Sequence, residues 1–302
     1  MITLMLIVGY VYAVSVDFTV VKCPLGEDDA RVFVKLSENQ LGGFDSDLAT
    51  YSSKGQFREY AIATCYQNLY SVYGTDMQTP ISSEVQPQFL AEIKKVAQTF
   101  PNPENPQVWE RYEIAATIYK KLQRSNFFMA KLYIEASWTA RDRIVGFHEA
   151  VQGPKIIDQL LQHGKGELQK SLPIEQKKVL LFNLARLAHR GGYSATRNEF
   201  ITQFSKLPGL TRSDQEAVTD FTHITQVVEP KYQKLAIPLL RAAISDSLTV
   251  EERIKAKYWL ADLLRRNGEH TEAMTLYKAL TKQKKDTQIQ TLSEYMTKTK
   301  NK

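Results

Sequence analysis

The sequence predicts an α+β protein, mostly α, in which a small N-terminal β module precedes an α-helical solenoid. The chain has 302 residues, of which 43% are apolar and 24% are charged, and this balance is typical of a globular protein. Apolar and polar residues alternate from Val14 to Val20, which predicts a strand with one buried face. From Pro87 onward the apolar period lengthens to about 3.6 residues, so helices and no further strand are expected.

The first residues form an apolar run without charge. It has the length of a signal-peptide core and is short for a membrane span, which needs ~20 residues. Val11 and Ala13 occupy the small-residue positions of a cleavage site, so we expect a signal peptide at residues 1–13, cleaved near Ala13. No Lys or Arg precedes the run, which leaves a mis-assigned start or a buried strand as alternatives. Cleavage would leave no transmembrane span and a periplasmic or otherwise extracytoplasmic protein.

Residues 14–76 are expected to form the β module. Further strand patterns lie at residues 31–36, 57–64 and, more weakly, 69–73. A Gly-rich turn at residues 39–47 carries Asp45 and Asp47. Paired carboxylates can bind a cation or serve as the acid and base of a hydrolase. In such a turn they more often cap backbone N–H groups, so this candidate polar site has a structural alternative.

Three stretches of this region share a pattern with known proteins. They are CPLG at residues 23–26, LGGFDSD at 41–47 and YAIATC at 60–65. The pattern resembles an uncharacterised bacterial family, a domain of unknown function, in which a zinc ribbon precedes helical repeats. The family has a C-x-x-C pair at each of two positions. This sequence keeps Cys23 and Cys65, and Gly26 and Asn68 stand where the second cysteines would be.

The resemblance has consequences for the two cysteines. A structural zinc site needs four ligands, and no histidine precedes His148, so we expect a degenerate ribbon with no metal and no cofactor. Loops that hold zinc in the family would bring Cys23 and Cys65 together, which implies a disulfide in an oxidising compartment. The alternative is a pair of buried free thiols in a cytosolic protein.

Residues 85–302 are expected to form tetratricopeptide-like helices. The clearest repeat has the spacing of a tetratricopeptide unit at Leu260, Ala261, Leu264, Gly268, Ala273 and Tyr277. A second match begins at Leu184, but Arg197 occupies its small-residue position. An earlier helix pair covers residues 108–138. Capping boxes are predicted at Ser213 with Glu216 and at Thr249 with Glu252.

The net charge of +6 is concentrated near the C-terminus. Residues 231–302 carry 15 basic and 8 acidic side chains, and the rest of the chain is nearly neutral. The lysines alternate with Thr and Gln rather than with stacking aromatics, which favours a solvated tail over a nucleic-acid site. Phosphate-binding loops, nucleophile elbows and paired-histidine motifs are missing from the sequence.

Together these patterns predict a non-catalytic adaptor or assembly scaffold in the bacterial periplasm, which binds a protein or peptide on its helical repeats. No small-molecule substrate is inferred, and nucleic acid is disfavoured. One alternative is a cytoplasmic protein that contacts nucleic acid through a degenerate zinc ribbon and the basic C-terminal region. Another is a hydrolase that uses Asp45 and Asp47.

Overall fold

The N-terminal β region opens with a long two-stranded ribbon. A computed structural model describes residues 14–145 and 151–299, so the predicted signal peptide at residues 1–13 lies outside the described residues. Strands β1 (Val14–Lys22) and β2 (Asp29–Glu38) pair in antiparallel register, with Phe18 opposite Phe33. The strand predicted from Val14 is therefore confirmed.

The face of β1 that alternation predicts to be buried is instead largely exposed. Ala30 and Val32 at the base of the ribbon are buried, whereas the side chains of Phe18 and Val20 are 48% and 58% exposed. The ribbon packs on the rest of the described chain mainly through β2, and within residues 14–145 and 151–299 no element covers the outer part of β1. The predicted burial is wrong for this reason.

The other strands of the β region are short. They are β3 (Gly43–Phe44), β4 (Thr50–Tyr51), β5 (Ile62–Thr64) and β6 (Ser71–Tyr73), and a later strand, β7 (Val151–Gln152), pairs with β3 in parallel. Two expectations are corrected here. Residues 57–64 begin with a 3₁₀ turn at Phe57–Glu59 rather than a strand. Strand β7 lies in the part where no strand was expected, because two residues are too few to produce a periodic pattern.

Helices form the remainder of the described chain. Their bounds are α1 (Gln86–Ala97), α2 (Val108–Lys121), α3 (Asn126–Val145), α4 (Pro154–Glu167), α5 (Ile174–Gly191), α6 (Ser194–Ser205), α7 (Arg212–His223), α8 (Glu229–Ser245), α9 (Val250–Arg266), α10 (His270–Leu280) and α11 (Thr287–Lys298). A π-helical turn, Ile224–Val228, joins α7 to α8. The capping box at Thr249 and Glu252 is confirmed, whereas the one before α7 uses Thr211 and Asp214 instead of the predicted pair.

Neighbouring helices pack as the hairpins α2–α3, α5–α6 and α9–α10, and α3 also packs extensively on α8. Helices contain 60% of the residues and strands 11%, so the predicted α+β, mostly α class is confirmed. The division into residues 14–76 and 85–302 stays a prediction. Among the described helices, none combines the length and the apolar character that crossing a membrane requires.

Two apolar clusters hold these layers together. One joins the base of the ribbon to α1–α8, and it includes Val32, Val72 and Ile114. The other joins α3 to α8–α11, and it includes Tyr51 of the β region. The segment at residues 42–52 therefore lies among the helices, and its polar side chains are enclosed with it.

Candidate functional site

The predicted Asp45 and Asp47 lie at the centre of the protein, on a turn between β3 and β4. Gly43 starts this turn with φ +78°, and a Cβ there would lie 2.0 Å from the carbonyl oxygen of Val151. Only glycine allows this close approach of β3 to β7. The turn closes with a hydrogen bond from the Asp45 N–H to the Ala49 carbonyl at 2.9 Å. Asp45 and Asp47 are thereby presented to the surrounding helices.

One guanidinium group binds both aspartates. Arg141 on α3 is completely buried, and its Nη1 lies 2.9 Å from Oδ2 of Asp45. Its Nη2 lies 2.6 Å from Oδ2 of Asp47 and also contacts Oε1 of Glu229 on α8. Two further arginines offset the remaining negative charge: Arg190 contacts Asp45 at 2.6 Å, and Arg266 lies 3.8 Å from Asp47. Side chains from four helices thus converge on one turn.

Neutral donors complete the hydrogen bonding of this network. The Tyr51 hydroxyl donates to Oδ2 of Asp45 at 2.7 Å, and Nε1 of Trp138 donates to Oδ2 of Asp47 at 3.0 Å. The Ala49 N–H donates to Oδ1 of Asp47 at 3.3 Å. Every carboxylate oxygen of the two aspartates accepts a hydrogen bond from within the protein. Both carboxylates are therefore held by donors of the protein itself.

Electrostatics keep Asp47 ionised. Burial alone would raise the pKa of this carboxyl, but the charges of Arg141 and Arg266 outweigh burial and hold its pKa well below its usual range. The pKa of Glu229 is lowered in the same way, by Arg141 and then by His189 against the effect of burial. Groups with such low pKa values do not exchange protons near neutral pH, so their arrangement is suited to structure rather than to acid–base catalysis.

A further carboxylate, that of Asp262, connects the turn to the C-terminal helices. Asp262 on α9 accepts hydrogen bonds from Arg265 at 2.8 Å, from Arg266 at 2.6 Å and from the Tyr277 hydroxyl at 2.9 Å. Both arginines also donate to the side chain of Ser46, between the two aspartates. The same charge network therefore connects residue 46 with residues more than 200 positions later.

A polar cavity of about 280 Å³ lies beside the network. Glu229 and Arg266 of the network line it together with His189, whose Nε2 lies 2.6 Å from Oε2 of Glu229 and whose Nδ1 lies 3.3 Å from Nη1 of Arg197. Burial lowers the pKa of His189, against the opposing charge of Glu229. A neutral ring that donates from Nε2 and accepts at Nδ1 satisfies both neighbours. The lining includes Ser194, Arg197, Asn198, Gln226, Gln233 and Arg266.

The cysteine prediction is confirmed: Cys23 and Cys65 form a disulfide, with their Cα atoms 5.9 Å apart. Asn68, three residues after Cys65, lies at the same corner, since its Nδ2 donates to the Leu25 carbonyl and lies 3.6 Å from Sγ of Cys23. The two sulfurs and a carboxylate oxygen of Asp28 lie within 4.8 Å of one another. Sulfurs joined to each other are not thiolates, so this trio does not offer the ligands that zinc prefers.

Sequence reasoning found the two aspartates but missed the residues that bind them. Arg141, Arg190, Glu229 and Asp262 lie on helices where isolated charges are usually solvated, and nothing local marks them as buried. Arg197 did give a signal, because a large cation occupied the small-residue position of a helix pair. Comparisons with family models, curated proteins and solved structures found no match to this chain.

Proposed function

We propose that the protein is a non-catalytic adaptor or assembly scaffold of the periplasm or another extracytoplasmic compartment, and that it binds a protein partner. The observation that carries this proposal is the saturation of Asp45 and Asp47, whose carboxylates are fully buried and bound by internal donors. They join the β region rigidly to the helices. The hydrolase alternative receives no support from this arrangement.

The compartment is supported by the disulfide, which persists outside the reducing cytosol. Intact-mass measurement of the native protein, before and after alkylation, tests it. We expect a chain that begins near Val14 and takes up no alkylating reagent until it is reduced. A full-length chain with two alkylated thiols would instead favour the cytoplasmic alternative, as would binding to duplex DNA that weakens steeply with salt.

The β1–β2 ribbon is the surface we assign to the partner. Among the described strands, none pairs with the outer edge of β1, so a row of backbone N–H and C=O groups there has no strand partner. Phe18 and Val20 are exposed on one face of this ribbon and Val34 on the other. On the helices, exposed apolar residues such as Val179 and Val250 are spread over different elements. Scattered residues are normal, whereas an apolar group beside an open edge is not.

An extended segment of another protein fits this surface best. Such a segment adds a strand to the open edge, and its alternate apolar side chains pack on Phe18 and Val20. The helical surface remains the other location, as the repeat pattern suggests. Its interior is less suited to an external peptide, because the protein's own residues 42–52 lie there.

Site-specific photocrosslinking tests this assignment. A photoreactive phenylalanine analogue at position 18 or 20 should give a discrete heterologous crosslinked product in the native cell, and the same analogue at position 179 on α5 should not. Phe18→Lys with Val20→Lys should abolish the complex while the thermal midpoint stays unchanged. Crosslinked products from position 179 alone would instead assign the partner's binding site to the helices. Crosslinks only between two copies of this chain, or none at either ribbon position, would overturn the assignment.

A further inference from the structure

Arg197 is a buried cation without a counterion. Its residue surface is 6% exposed, and among the described residues no carboxylate lies within 4.0 Å of its guanidinium group. The group donates to Oδ1 of Asn198 at 3.0 Å and to the Thr225 carbonyl at 3.3 Å. The other arginines of the described core that are equally buried, Arg141 and Arg190, each contact a carboxylate. Arg197 is therefore an exception that needs an explanation.

Burying the guanidinium group of Arg197 without a counterion costs free energy. Burial lowers the pKa of Arg197, and the nearby charge of Glu229 only partly opposes this effect. Glu229 cannot neutralise the guanidinium group directly, because its oxygens are bound to Arg141, His189 and Gln233. Buried charges are ordinarily paired, so a buried guanidinium group without a carboxylate beside a cavity points to an anion from outside the protein.

The cavity beside Arg197 has the features of an anion site. Helix α6 begins there, and Ser194, Arg197 and Asn198 of its first turns contribute to the lining. In the part of the chain that the structure describes, no side chain caps the first N–H groups of α6, and the first turn of this helix carries no acidic residue. Exposed N–H groups at a helix N-terminus attract an anion. Gln226 and Gln233 also line the cavity, and their amide groups donate to Asn198 and Glu229.

The size and charge of the cavity define the ligand class. About 280 Å³ is close to the lower end of small-molecule sites, which span roughly 300–1,000 Å³. Two arginines and one glutamate line it, and a single negative charge would balance the excess. A planar carboxylate matches the fork of a guanidinium group.

We propose that this cavity binds a small carboxylate, held by the guanidinium of Arg197 and the first turn of α6. The proposal does not depend on the adaptor function. The carboxylate belongs either to a free small acid or to the C-terminus of a short peptide, since both present the same group.

Calorimetric titration tests the proposal with N-acetylalanine, succinate and trialanine as probes, and with N-acetylalaninamide as the uncharged control. We expect saturable binding of at least one acid and none of the amide. Binding of N-acetylalanine or succinate would indicate a free acid, whereas binding of trialanine alone would indicate a peptide terminus. Absence of saturable binding by all three acids, or equal binding of the amide, would overturn the proposal.

Arg197→Gln should weaken binding at least about tenfold, because it removes the positive charge and a charge-assisted hydrogen bond from Nη2, the guanidinium nitrogen not bonded to Asn198, His189 or Thr225. The matched control is Arg212→Gln, on the exposed ion pair with Glu216, and it should bind like the wild type. Without ligand, Arg197→Gln should keep or raise the thermal midpoint, because an unpaired buried cation is removed. Loss of folding in this variant, or unchanged affinity, would show that Arg197 serves packing and would contradict the proposal.

Discussion

Replacing Arg141 by methionine should destabilise the protein strongly. The change removes the one cation that contacts three carboxylates, all with side chains at most 1% exposed. Arg190 and Arg266 remain near Asp45 and Asp47, but Glu229 keeps only neutral donors. Breaking a buried ion pair costs about 3–5 kcal/mol, and we expect the upper part of this range.

The matched control lies two residues away on the same helix. Arg143 forms an ion pair with Asp220, in which the two side chains are 48% and 43% exposed. Arg143→Met should therefore cost less than about 1 kcal/mol. Urea unfolding followed by circular dichroism gives both values, and the thermal midpoint of Arg141→Met should fall by roughly 6–10 °C.

Equal losses of stability in Arg141→Met and Arg143→Met would refute the reasoning, since the burial of an ion pair would then not affect the cost of breaking it. If Arg141→Met gives no folded protein, Arg141→Lys provides a milder test. A single ammonium group cannot reach all three carboxylates, so this variant should still lose more stability than Arg143→Met.

Three further predictions concern stability. The free energy of unfolding should fall as the pH drops below about 6.5, because the pKa of His189 is lower in the folded protein and the unfolded chain therefore takes up a proton there first. The lowered pKa of Glu229 should continue this fall below about pH 4.3. Urea midpoints that do not change with pH would contradict both expectations. The disulfide closes a 42-residue loop, so removing it by reduction or by Cys65→Ala should lower the free energy of unfolding by ~4 kcal/mol. Unchanged urea midpoints would contradict this expectation. Gly43→Ala should lower the free energy of unfolding by more than about 2 kcal/mol, because the added Cβ clashes with β7. Gly209 also has a positive φ but has open space around it, so Gly209→Ala should cost only ~1–2 kcal/mol. Thermal melts compare the two variants, and equal losses of stability would exclude the clash.

Local patterns were sufficient for part of the fold. The alternation from Val14 predicts β1, the 3.6-residue period predicts the helices, and the capping box at Thr249 predicts the start of α9 correctly. These features depend on neighbours in sequence. Burial of β1 could not be predicted, since it depends on what packs against the ribbon from distant parts of the chain.

The charge network was beyond sequence reasoning for the same reason. Asp45 and Arg141 are 96 positions apart, and Ser46 and Arg266 are 220 positions apart. Each charge taken alone resembles a solvated surface residue. Only the folded chain brings four helices around one turn, and only there do the charges compensate one another.

The placement of the turn at residues 42–52 has a consequence for biogenesis. Tyr258 and Trp259 donate hydrogen bonds to backbone carbonyls of the turn across 212 positions. The segment is synthesised early, yet some of its partners, on α9, lie near the end of the chain. Completing this network requires contacts between residues 212 and 220 positions apart, and non-local contacts of this kind slow folding. Until α3, α5 and α9 have assembled around the turn, Asp45 and Asp47 lack their arginine partners, and their charges favour a solvated segment over a buried one.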